Sequence, residues 1–80
     1  MVKITVNFFW ENQEVLSDSV ELSGAIIGAS ALLQFFSEFW NIDIGDYTLR
    51  DILIDDNNIN VHIRSLEDFR QVRLSIIRLN

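Results

Sequence analysis

His62 is the chain's single histidine, and it stands in Ile59-Asn60-Val61-His62-Ile63, where apolar and polar residues alternate. A zinc site needs three or four ligands, and the chain has no cysteine to supply thiolates. A lone imidazole in an alternating strand is expected to be structural, neither a ligand nor a catalytic base. The acid pairs Asp55/Asp56 and Glu67/Asp68 are sequence neighbours. Neighbours on a strand point to opposite faces, so neither pair can show an acid and a base to one substrate. Gly24 and Gly28 lack the lysine and the spacing of a phosphate loop. The sharpest chemical pattern starts at Asp56, with Asn58, Asn60, Ile63 and Glu67 at positions three, five, eight and twelve of a calcium loop. Against it, position six is Val61, where the turn wants glycine, and Arg64 would stand among the ligands. A β-turn followed by a capped turn is the expected outcome. The chain is therefore expected to carry no metal, no cofactor and no catalytic residue, and not to be an enzyme.

Eighty residues, 49% hydrophobic and 22% charged, describe one folded domain over residues 1–80. Without cysteine there are no disulfides, and the apolar core must hold the fold alone. The net charge is −6. Nucleic-acid binding through the phosphate backbone needs a basic footprint, so direct binding is not expected. Seven acids face Lys3 alone up to Leu49, whereas five acids face five arginines from Arg50 onward. This imbalance suits a partner with a basic face. The opening Met1-Val2-Lys3-Ile4-Thr5-Val6 does not read as a signal peptide. The most apolar stretch, 25–40, is broken by Ser30, Gln34, Ser37 and Glu38 and is too short to cross a bilayer. A soluble, cytoplasmic protein is expected.

Two periodicities set the elements that must position any site. Val2, Ile4, Val6, Phe8 and Trp10 alternate with Lys3, Thr5, Asn7 and Phe9, the pattern of a half-buried strand. Residues 11–14 form a polar turn in which Asn12 can take a positive φ. Residues 15–22 alternate again, closing a hairpin. Ser23 can cap a helix, and Ile26, Ala29, Leu32, Leu33, Phe36 and Trp40 share one face of a helix over 25–40, with Asn41 as its stop. Residues 42–46 form a loop pinned by Ile42 and Ile44. Strands follow at 47–54 and 59–63, separated by the turn Asp55-Asp56-Asn57-Asn58. Ser65 to Phe69 reads as one capped helical turn. In the last strand Val72, Leu74 and Ile76 oppose Arg73, Ser75 and Ile77. The order predicts an α+β domain of two layers, a mixed sheet of four to five strands on one helix.

This order resembles the ubiquitin-like β-grasp fold, ββαβ(β)β. Arg64-Ser65-Leu66-Glu67-Asp68-Phe69 is similar to the Arg-Thr-Leu-Ser-Asp-Tyr segment of ubiquitin, and Ser75-Ile76-Ile77-Arg78-Leu79 looks like its last strand. The chain ends in Arg78-Leu79-Asn80 where conjugated members end in Gly-Gly, and no glycine lies between Phe69 and Val72. Among non-conjugating members, the opening Val2 to Phe8 and the helix leading into Asn41-Ile42-Asp43-Ile44 resemble the YukD/EsaB group of bacterial type VII secretion loci. That resemblance implies a cytoplasmic regulator or accessory component that acts by non-covalent contacts.

The expected function is thus binding of another protein. In ubiquitin-like proteins the outward sheet face is the common docking surface, which implies Phe9, Leu53, Arg73 and Ile77. A second candidate surface is the spare side of the helix at Ile27, Phe35 and Phe39, apolar residues that one layer cannot bury together with Leu32 and Phe36; these could also form a homodimer. The alternatives are a small acidic, phage-type inhibitor of a nucleic-acid-handling enzyme and a self-associating structural module.

Overall fold

Apolar residues at every second position of 2–8 need one dry face, and the computed structural model, which describes residues 1–24, 28–56 and 58–79, forms strand β1 (Val2–Trp10) there. Glu11 and Asn12 both have positive φ, 51° and 69°, as a two-residue hairpin turn requires. Strand β2 (Gln13–Leu22) returns antiparallel to β1, with Val15 as an extra residue where the register slips between Phe8 and Phe9. Helix α1 (Ala29–Phe39) begins six residues after Ser23. Its N-terminal neighbour is Gly28, at φ 88°, and no side chain caps it, so Ser23 is not the cap expected of it. Residues 25–27 of the expected helix, Ile26 and Ile27 among them, lie outside the described residues. The stop is as expected: Trp40 N–H donates to the Phe36 carbonyl at 3.1 Å, and Asn41 takes a φ of 55°.

Ser37 holds the next loop by donating its hydroxyl to the Ile42 carbonyl at 2.7 Å. A single 3-10 turn, Ile44–Asp46, follows, with the Asp43 carboxylate accepting from Gly45 N–H. Three strands complete the chain: β3 (Tyr47–Ile54), β4 (Asn58–Ser65) and β5 (Arg70–Arg78). Between β4 and β5 the expected helical turn is absent. Ser65 ends β4, its hydroxyl accepts from Glu67 N–H at 3.2 Å, and Asp68 grips the Arg70 guanidinium at 2.8 Å. These bonds from Arg70 hold the Asp68 carboxyl below its usual range. They tie the bend locally and leave no backbone helix to cap.

The sheet order is β2-β1-β5-β4-β3, and every pairing is antiparallel. The expected mixed sheet is therefore corrected. Short turns join β3, β4 and β5, so these strands must alternate in direction. The one long connection, 23–46, runs between β2 and β3, which point the same way but lie at opposite edges. A crossover that spans the whole sheet brings no parallel neighbours together. It carries α1 over one face instead.

That face is the core. Val2, Ile4 and Val6 from β1, Val61 and Ile63 from β4, and Val72, Leu74 and Ile76 from β5 are buried beneath Leu32 and Phe36. Leu32 and Phe36 are four residues apart on the helix, so they fall on one side. Phe36 meets Phe8 at 6.1 Å and Trp40 at 5.9 Å between ring centroids. Among the described residues no helix is long and apolar enough to cross a membrane.

Candidate functional site: the open face of the sheet

Because α1 packs on one side, the odd-numbered residues of β1 and β5 and the even-numbered residues of β4 form a second face that no described element covers. Cross-strand register arranges it in rungs. Phe9 lies opposite Gln71, which lies opposite Arg64. The next rung is Asn7, Arg73, His62 and Asp51; the next is Thr5, Ser75, Asn60 and Leu53; the last is Lys3, Ile77 and Asn58.

All four residues expected on a sheet-side docking surface fall on this face, and Arg73 links two of the others. The Arg73 guanidinium lies over the Phe9 ring, 5.2 Å from its centroid, the arrangement in which a cation is attracted to the π-face. Arg73 and Leu53 line a shallow depression of about 290 Å³ with Asp51, Asn60 and His62. Leu53 is 63% exposed. Ile77 stands four residues beyond Arg73 along β5, roughly 13 Å at the usual strand rise, and does not line the depression.

A polar network stiffens the centre. Gln71 Oε1 accepts from Arg50 Nη1 at 2.9 Å and lies 2.8 Å from His62 Nε2. The arginine can only donate, which fixes the amide orientation. His62 Nε2 must then carry its proton to complete the second bond. Arg50 reaches this face because β3 slips register between Leu49 and Asp51, leaving Arg50 as the extra residue. At the near end Asn7 Nδ2 donates to Glu14 at 2.6 Å and to Ser17 at 3.1 Å.

Burial, chiefly, pushes the His62 pKa below its ordinary 6.5; the charges of Arg73 and Arg50 add to this, and the Gln71 bond and Asp51 oppose it. The folded state thus favours neutral imidazole, while the unfolded chain takes up a proton at about 6.5. His62 contributes stability that is fully present above that pH and is lost as the pH falls through the lower folded value. The unfolding midpoint should fall between pH 7 and pH 5.5, and a His62→Asn variant should show a flatter dependence over that interval in thermal melts. An unchanged profile would show that His62 is not responsible.

The helix-side candidates are arranged differently. Phe35 and Phe39 stack at 5.2 Å with 15° between their planes, and both meet Trp40, at 5.9 and 4.8 Å. Trp40 Nε1 donates to Asp18 at 2.9 Å, tying the end of the helix to β2. Phe39 remains half exposed on the outside of this stack. Ile27, the third member of that set, lies outside the described residues.

The residues of the calcium spacing from Asn58 onward do not form a loop. Asn58 and Asn60 belong to a strand and point to the open face, while Ile63 is buried. Among the described residues no three His, Cys, Asp or Glu side chains come together as metal ligands. Arg50, His62, Arg64 and Gln71 were not expected at the site. The parity of 61–64 carries a signal for His62 and Arg64, since Val61 and Ile63 claim the core. Comparison of the chain with protein-family models, with curated proteins and with solved structures returned no match.

Proposed function

We propose that the chain is a non-covalent protein-binding module that docks through the open face of its sheet, around Phe9, Arg73 and Leu53. The observation that carries this reading is the Arg73 guanidinium, which lies over the Phe9 ring and lines a depression with the exposed Leu53, on a sheet face that nothing in the described fold covers. Aromatic and arginine side chains are the residues that most often dominate binding energy in interfaces. One helix across one side of a five-stranded sheet supports a β-grasp-like, ubiquitin-like assignment, although the antiparallel β1–β5 pair departs from the mixed sheet that the element order predicted. On that resemblance the module serves as an accessory or regulatory component of a bacterial type VII secretion system, in the cytoplasm.

Phe9 and Leu53 are the residues to test, because neither belongs to the buried core. A Phe9→Ser/Leu53→Ser variant should melt cooperatively near the wild-type temperature. It should lose capture of the host proteins retained by the wild-type chain, with affinity for each falling by about 2 kcal/mol or more, roughly thirtyfold. Capture at wild-type strength by a folded double variant would refute the sheet-face reading.

A further inference from the structure

Independently of the docking reading, we infer that the chain pairs with a second copy of itself along the outer edge of β3, about a two-fold axis centred on Ile52. β3 is the last strand of the sheet order. Alternate residues on its outer side therefore present backbone N–H and C=O groups with no strand to bond. An edge of this kind takes another extended strand. Natural edges are blunted by charges, by proline or by bulges. The opposite edge, β2, carries Glu14, Asp18 and Glu21 and no base, so two copies of it would repel. β3 has the slip at Arg50 and one acid, Asp51, and beyond them Ile52-Leu53-Ile54 runs unguarded. Leu49, Ile52 and Ile54 stand on the helix side, opposite Ile63, Val61 and Ile59 of β4, yet all three remain exposed.

Charge selects the register. In an antiparallel pair of identical strands, the axis passes through one residue, and those on either side of it are set against each other. An axis at Asp51 opposes that acid to itself, and an axis at Leu53 opposes Asp51 to Asp55. Like charges directly opposite destabilise a strand pair. An axis at Ile54 sets Asp55 and Asp56 against Leu53 and Ile52. An axis at Ile52 opposes no two acids. Ile52 then meets Ile52 of the second copy, and Ile54 meets Leu49 of the second copy, because Arg50 is the extra residue of the slip. Six aliphatic side chains close into one strip on the helix side, and the open face runs on across both sheets. The slip keeps the regular pairing short, which places the contact among small, weak interfaces.

Sedimentation equilibrium from about 10 μM to about 1 mM should show the mass rising from that of one chain toward that of two. Ile52→Glu and Ile52→Lys should each remain folded by circular dichroism, since Ile52 is on the edge and already 38% exposed. Each should weaken dimerisation at least about tenfold. Mixed in equal amounts they should dimerise again, because the axis sets the glutamate of one against the lysine of the other. A monomer throughout, a mass that climbs past two chains, a dimer untouched by Ile52→Glu, or mixed variants that stay apart would each overturn the inference. Cysteine cross-linking decides the matter if a charged variant unfolds. Opposed residues of antiparallel strands lie within disulfide reach, and the chain has no cysteine of its own. Under diamide, Ile52→Cys should cross-link to itself and Ser19→Cys, on β2, should not. Equal cross-linking of the two, or none in Ile52→Cys, overturns the inference.

Discussion

Phe36→Ala should remove about 3–5 kcal/mol from the stability of the domain. Phe36 has no exposed surface, and it is the largest side chain the helix presses onto the sheet. Its ring touches Phe8 on β1 and Trp40 at the end of α1, so truncation opens a cavity where strand, helix and the following loop meet. These neighbours cannot easily collapse into the space, since Trp40 is also bonded to Asp18. An 80-residue domain has a total stability of roughly 4–12 kcal/mol, so the loss is a large share of it. Each kcal/mol moves the midpoint of a domain this size by about 4–8 °C, and the melting temperature should drop by at least about 12 °C. Urea denaturation followed by circular dichroism would measure both. A loss under about 1 kcal/mol would mean that the helix does not hold the core through this residue.

A larger contrast is expected between adjacent residues of β5. Leu74 is buried between Val6 on β1 and Val61 on β4. An aspartate there would place a carboxylate among aliphatic side chains with no donor in reach, at a cost of several kcal/mol. Leu74→Asp should show no cooperative unfolding at neutral pH. Arg73 is one residue earlier and faces solvent on the other side of the sheet. Arg73→Asp should fold, losing about 1 kcal/mol or less with its contact to Phe9. Amide NMR spectra of the two variants would decide it. A folded Leu74→Asp protein, or a collapsed Arg73→Asp protein, would mean that the sheet faces are assigned the wrong way round.

The period-2 pattern carried most of this architecture. In Val2 to Val6, Val61 to Ile63 and Val72 to Ile76 the apolar parity is unbroken, and each of those residues is in the core. Asn12 marked its positive-φ position, and Asn41, expected as the helix stop, takes a positive φ too, because a short polar side chain tolerates the left-handed region. Strand partners were not readable in the same way. Alternation says which residues share a face but not which strand lies alongside or in which direction, and the mixed sheet was inferred from the order of elements. The β4–β5 link shows a related limit. Ser65 and Asp68 have the spacing of a capping pair, yet their side chains bond Glu67 and Arg70 locally, and a bend satisfies them as well as a helical turn would.

The candidate site was legible to the same extent. Phe9, Leu53, Arg73 and Ile77 were chosen on the resemblance to ubiquitin-like proteins, and all four are on the open face. That Arg73 links Phe9 and Leu53 depends on register, which parity cannot supply. Arg50 was the least accessible. Regular alternation would have sent it to the helix side, and only the slip between Leu49 and Asp51 turns it toward Gln71.

The pairing of the first strand with the last has a mechanical consequence. β1 and β5 lie side by side in the middle of the sheet and run in opposite directions, and Leu79 N–H donates to the Met1 carbonyl at 2.9 Å. Tension applied to the two ends would load the rung between Val2 and Arg78 before any other. The strands would then peel apart one rung at a time, and the remaining rungs would not share the load as they do when parallel neighbours are sheared. Heat and denaturant must breach the best-packed part of the sheet, whereas a pulling force would meet it first and open it along its weakest direction.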